Sequence, residues 1–168
     1  MPFIDVNVHA SPAMKKRSTA PLELAELPGH YIRRLQQIAV GLFMEETQAL
    51  NLTPIQYAAL HTAWREPGMD QRTLAARIGF DPSTIGGVID RLEARGLVER
   101  QVSAVDRRAR QVAITPAGVD ILEAAQPYVL STQARLLKPL SAAEKKEFMR
   151  MLQLLVEENN VHSRAPTE

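Results

Sequence analysis

The chain contains no cysteine, so disulfides, thiolate metal sites and thiol-based redox sensing are excluded. It has no apolar run near the ~18 residues of a membrane span. The opening stretch, "MPFIDVNVHASPAMKKRSTAP", lacks the charged-then-apolar order of a signal peptide and reads as a flexible arm over residues 1–22. A cytoplasmic location without membrane contact is therefore expected. Metal and enzyme signatures are missing too. His9, His30, His61 and His162 do not fall at metal-ligand spacing, and neither a Gly-rich phosphate loop nor a nucleophile elbow is present. No enzyme activity and no cofactor are expected. Net charge is only +1, so no global basic field marks the chain as a nucleic-acid binder.

One segment departs from that neutrality, and it does so without lysine. Between residues 71 and 110 stand eight arginines, at 72, 77, 91, 95, 100, 107, 108 and 110, against five carboxylates at 81, 90, 93, 99 and 106. Arginine carries a planar fork that pairs bidentately with phosphate or guanine, which the lysine ammonium cannot do.

Apolar periodicity lays out the elements around this segment. Leu27, Tyr31, Leu35, Ile38 and Leu42 mark one face of a first helix, predicted to be buried. In "NLTPIQ", Thr53 caps a second helix, Pro54 takes its first position and Gln56 completes a capping box. Asp70 caps a short third helix. In "GFDPST", Asp81 and Pro82 open a fourth, which buries Ile85, Val88, Ile89 and Leu92 and stops at Gly96. Two β-type runs, "LVERQVS" and "QVAIT", then flank an arginine-rich tip. Thr115-Pro116 starts a long fifth helix. Ser141 and Glu144 box the start of a sixth, which carries Phe148, Met151, Leu152 and Leu155.

Two short helices joined by a tight turn and followed by a hairpin make a winged helix-turn-helix, here over about residues 53–114. The expected fold class is mainly α with a small β-hairpin wing. The outer helices, at about 25–50 and 116–159, carry more apolar surface than so small a module can cover, so they are expected to pair two copies as a homodimer. Residues 23–160 would then form a single domain and 161–168 a tail.

In such a module the second helix of the turn enters the major groove. The residues opposite its apolar stripe are Ser83, Gly87 and Arg91, with Thr84 at the edge. Hydroxyls and N–H groups at 83 and 84 can meet phosphate or base edges, and Arg91 can reach a phosphate or a guanine. Gly86-Gly87 costs roughly 1 kcal/mol per residue against alanine in a helix. It either allows close approach to the DNA backbone or packs against a neighbouring helix. At the tip, Asp106 orders the loop, and Arg107, Arg108 and Arg110 outnumber it, leaving at least one free to enter a minor groove.

The stretch "DPSTIGGVIDRLEARGLVERQVSAVDRRARQVAITPAG" resembles the core of the MarR family of bacterial transcription regulators. The matching marks are "IDRLEARGLVER", the "DRRAR" wing and the "ITPAG" start of the next helix. The resemblance extends over about residues 25–160. It implies a homodimer that binds a pseudo-palindromic, double-stranded operator, most often as a repressor, and that releases it when a small aromatic acid binds. By position, Ser83, Thr84, Gly87 and Arg91 match the groove-facing side of the recognition helix, and Asp106, Arg107, Arg108 and Arg110 match the wing. Gly87 departs from the polar residues common there.

The family's ligand cleft lies between the dimer helices and the DNA-binding lobe. In "LPGHYIRRL", His30, Tyr31, Arg33 and Arg34 gather an imidazole, a phenol and two guanidiniums within about one turn, a set suited to an aromatic carboxylate effector. His61 and Trp64 on the second helix are candidates for a facing wall. For Tyr31 a place in the core, and for Arg33 plain solvation, are the competing readings. A winged helix that binds protein instead of DNA is the rival function.

Overall fold

Five of the six α-helices open on a side-chain cap, and the caps are those that the turn chemistry predicts. The computed structural model describes residues 23–102, 110–163 and 166. In chain order it contains α1 (Pro28–Glu46), α2 (Pro54–Arg65), α3 (Gln71–Arg77), α4 (Pro82–Ala94), β1 (Val98–Val102), β2 (Arg110–Ile114), α5 (Pro116–Leu136) and α6 (Ala142–Glu158). Thr53 and Gln56 form a reciprocal box at α2, as Ser141 and Glu144 do at α6. Asp70 accepts from the Thr73 N–H at 2.7 Å, which holds its carboxyl below the usual carboxylate range. Each cap satisfies a donor that the first turn would otherwise leave unpaired.

The core lies between α2, α3, α4 and the hairpin. Leu60, Leu74, Ile85, Val88, Ile89, Leu92, Val98 and Val112 are buried to 2% exposure or less. Each such side chain contributes on the order of 1.5–3 kcal/mol through the apolar surface it removes from water. The hairpin pairs antiparallel, with Val98 opposite Ile114 and Val102 opposite Arg110. The segment before α3 extends this small sheet, because the Val112 N–H donates to the Met69 carbonyl at 2.9 Å and Asp70 bridges to Gln111. Helix-turn-helix and wing are thus one piece.

Two backbone details seat the long helix. Gly96 adopts φ +69°, the left-handed conformation that ends α4. Thr115 then donates its hydroxyl to the Gly96 carbonyl at 2.7 Å and accepts from the Gly118 N–H at 3.1 Å. Gly118 comes so close to β1 that a Cβ there would lie 2.1 Å from the Leu97 carbonyl oxygen. The "ITPAG" signature is therefore a cap, a helix-starting proline and a contact that only glycine fits.

Within the single chain, the apolar face of α1 is only partly covered. Leu27, Leu35 and Leu42 are half-buried, whereas Tyr31 and Ile38 stand 57% and 49% exposed. Phe43 is the buried residue of this helix. α1 packs along α5, where Arg135 reaches Glu46 at 2.6 Å and Glu45 at 3.2 Å, and one neighbouring helix covers only part of its apolar stripe. α6 buries none of its residues, and Met151 and Leu155 remain exposed.

Candidate nucleic-acid interface and effector cleft

On α4 the stripe opposite the core carries Ser83, Gly87 and Arg91 at i, i+4 and i+8, with Thr84 beside it. Ser83, Thr84 and Arg91 are exposed, and Gly87 is half-buried. The two hydroxyls are already engaged. The Asp81 carboxylate accepts from the Ser83 hydroxyl, from the Thr84 hydroxyl at 2.7 Å and from the Thr84 N–H at 2.9 Å. These bonds, the one from Ser83 first, hold the Asp81 carboxyl far below the usual carboxylate range. With their protons committed, Ser83 and Thr84 present lone pairs outward. Such groups suit base amino groups better than phosphates, which can only accept.

The paired glycines differ in their surroundings. A Cβ on Gly86 would meet the Gln71 amide of α3 at 3.3 Å, so this position packs against a neighbouring helix. A Cβ on Gly87 would meet only the Arg91 guanidinium, at an ordinary 3.5 Å. Intramolecular packing does not require glycine at 87.

The arginines separate into structural and unpaired sets. Arg77 pairs with Glu66 at 3.2 Å, and Arg95 donates to the Asn51 and Leu50 carbonyls at 2.7 and 3.0 Å. Arg100 on β1 is bonded to Glu93, to Asp90 at 2.5 Å and to Gln71 at 3.3 Å, which ties the wing to α4 and α3 together. In the sequence Arg100 stands out only as one of the eight arginines of residues 71–110 and as the end of the "IDRLEARGLVER" match. Among the described residues Arg72, Arg91 and Arg110 are exposed and form no ion pair. Arg110 stands at the start of β2, on the wing. Asp106, Arg107 and Arg108 lie outside the described residues.

The second candidate site is a cleft of about 170 Å³ between α2 and α5. Tyr57, His61 and Trp64 line one wall, and Val119, Leu122, Glu123 and Gln126 line the other. The three α2 rings follow one helical face, with successive centroids 6.0 Å apart. Phe43 of α1 continues the row at 5.9 Å from Tyr57. An apolar cavity of about 150 Å³ accommodates benzene, so this space suits a single ring. His61 and Trp64 line the cleft, and the wall facing them belongs to α5. His30, Tyr31, Arg33 and Arg34 do not line it. His30 and Tyr31 stack edge to face at 5.6 Å, and Arg33 donates along its own helix to Gln37 at 3.2 Å. Tyr57 and the α5 residues were missed because their side chains converge only after α2 and α5 pack.

Among the described residues no cluster of His, Asp or Glu could hold a metal ion, and no helix is long and apolar enough to cross a membrane. An exposed helical face beside a hairpin locked to it is the reading head of a winged-helix DNA-binding protein. The model of the MarR family matches residues 52–109. The transcriptional regulator HosA of Escherichia coli is 32% identical over 127 residues, covering 76% of this chain and 93% of HosA. The chain belongs to the MarR family of DNA-binding transcription regulators. Among solved structures, BpsR of Bordetella bronchiseptica, whose DNA binding is regulated by 6-hydroxynicotinic acid, is 27% identical with a TM-score of 0.76, over 80% of this chain and 96% of that one. The repressor CouR, known from Rhodococcus jostii RHA1 and solved on a 23-mer DNA duplex, is 28% identical with a TM-score of 0.75, over 82% and 99%.

Proposed function

We propose that this chain is a repressor that grips a pseudo-palindromic operator as a homodimer and releases it when a small aromatic acid binds. The observation that carries the proposal is the one-piece reading head, in which Arg100 fixes the wing to α4 while Arg91 and Arg110 stay unpaired among the described residues. Ser83, Thr84, Gly87 and Arg91 face the major groove. Asp106, Arg107, Arg108 and Arg110 serve the flanking groove, with an unpaired guanidinium drawn to the negative potential there. The uncovered apolar faces of α1 and α6 supply the dimer contact, in a regulator that acts in the cytoplasm.

α5 is the lever in this reading. It begins at the capped seam beside the wing, passes the cleft at residues 119–126 and ends where Arg135 grips α1. A ring wedged between α2 and α5 must alter how the lobe sits on the dimer arms. The two recognition helices have to span half-sites about 34 Å apart, so a small tilt disengages one of them. An effector can do this only if it binds the released arrangement more tightly. His61 and Trp64 hold the ring, and assembly brings His30, Tyr31, Arg33 and Arg34 to the anionic end.

The test uses DNA from upstream of the chain's own coding region. Two protomers per duplex are expected, with release by aromatic acids that also raise the melting temperature. Arg34→Ala should blunt release and spare DNA binding. A monomer indifferent to that DNA at low salt would instead favour a protein-binding winged helix.

A further inference from the structure

The aromatic cleft contains one charged side chain, and its sign is opposite to the one an acid ligand needs. Tyr57, His61 and Trp64 accept a flat ring from α2, and Val119 and Leu122 supply apolar contact from α5. Glu123, also in the lining, is exposed and forms no hydrogen bond or ion pair among the described residues, so its oxygens are free to accept. Gln126 lies three residues further along the same helix, within reach of the same ligand group. No lysine or arginine lines the space.

We infer that Glu123 makes this cleft selective for rings bearing a hydrogen-bond donor, a phenolic hydroxyl or a ring N–H, held with the anionic end turned away. The inference rests on the aromatic-effector reading above and specifies which aromatic acids qualify. A carboxylate is an acceptor with no proton to give, so a ligand carboxylate facing Glu123 would meet like charge and an unmatched acceptor. A ring hydroxyl satisfies both neighbours: it donates to Glu123 and accepts from the Gln126 amide. Hydrogen bonds to charged groups are among the stronger ones, so the donor dominates the choice between otherwise similar rings. The closest precedent for such discrimination is general: a site built to bind a hydroxyl strongly rejects the analogue that lacks it.

Calorimetric titration of the full chain with benzoate, 3- and 4-hydroxybenzoate and the matching methoxybenzoates tests this. At least one hydroxylated acid should bind about tenfold or more tightly than benzoate and than its own methyl ether. In Glu123→Leu that preference should disappear while benzoate binds as well as before or better. Glu123→Gln, which keeps the shape and one acceptor, should retain part of the preference and so separates lost recognition from lost folding. Equal binding of all the acids to the unaltered chain, or an undiminished hydroxyl preference in Glu123→Leu, overturns the inference and leaves the aromatic-effector reading intact. If none of the acids binds at all, both fail together.

Discussion

The DNA-binding lobe and the terminal helices both carry apolar stripes, yet only the lobe completes its own interior. In the lobe, Leu74, Ile85, Ile89 and Leu92 have no exposure at all. On α6, Leu154, Leu155 and Val156 stand 47%, 54% and 67% exposed, and α1 adds Tyr31 and Ile32. Large contiguous apolar surface on a water-facing helix marks a contact surface. The lobe is therefore a finished tool, whereas the arms leave apolar faces that the homodimer proposed above would cover. On the proposed homodimer, stability belongs to one region and assembly to the other, and substitutions in each should report different losses.

The largest loss is expected at the seam between wing and α5. Gly118→Ala drives a Cβ into the Leu97 carbonyl, and backbone cannot yield as a flexible side chain does. It should destabilise the protein by about 3 kcal/mol or more in denaturant unfolding, with DNA binding lost in proportion. Near wild-type stability would mean that the seam is looser than the geometry requires.

Leu155→Asp probes the other side of the contrast. A charge on the apolar face of α6 should leave the lobe folded but shift sedimentation toward the monomer, and operator affinity should fall with it. Should the variant remain a dimer, this part of α6 would not be the dimer contact.

Arg100→Gln should have a smaller effect, about tenfold weaker operator binding. Because Arg100 acts by positioning the wing, its loss should be non-additive with Arg110→Ala in a double-mutant cycle. Strict additivity would give Arg100 a DNA contact of its own.

The smallest effect concerns acid. Asp70 has a folded pKa below its ordinary value of 3.8, chiefly because the Thr73 N–H donates to it. Its contribution is fully present above that value and fades as pH falls through the lower, folded pKa. Asp70→Asn, which still caps α3, should show a shallower fall in stability in strong acid. An identical acid limb in both proteins would remove the cap from the account.

Most of the lobe was legible because local rules and tertiary packing agree there. Caps at Thr53, Asp70 and Asp81, the Thr115 cap at the seam with α5, and the stripe Ile85, Val88, Ile89 and Leu92 follow from turn chemistry and helical period alone. The α1 stripe was readable as apolar, but not that Tyr31 and Ile38 would stay uncovered, since a sequence pattern does not say which molecule supplies the cover. Interactions distant in sequence were not legible. Arg95 on the Leu50 and Asn51 carbonyls, Arg100 on Gln71, and Glu123 facing the α2 rings all depend on which helices meet. The sequence places the Ser83 and Thr84 hydroxyls where they can meet phosphate or base edges, but does not reveal that the cap of their own helix takes both protons.

The proposed grip on DNA is tested most directly by the salt dependence of operator binding, measured by fluorescence anisotropy for the unaltered chain, Arg91→Ala and Arg108→Ala. Each arginine occurs once per subunit, so each variant should bind more weakly, and the slope of log K against log salt should shrink by about two phosphate contacts per dimer. Unchanged affinity and unchanged slope in both variants would contradict the proposed grip.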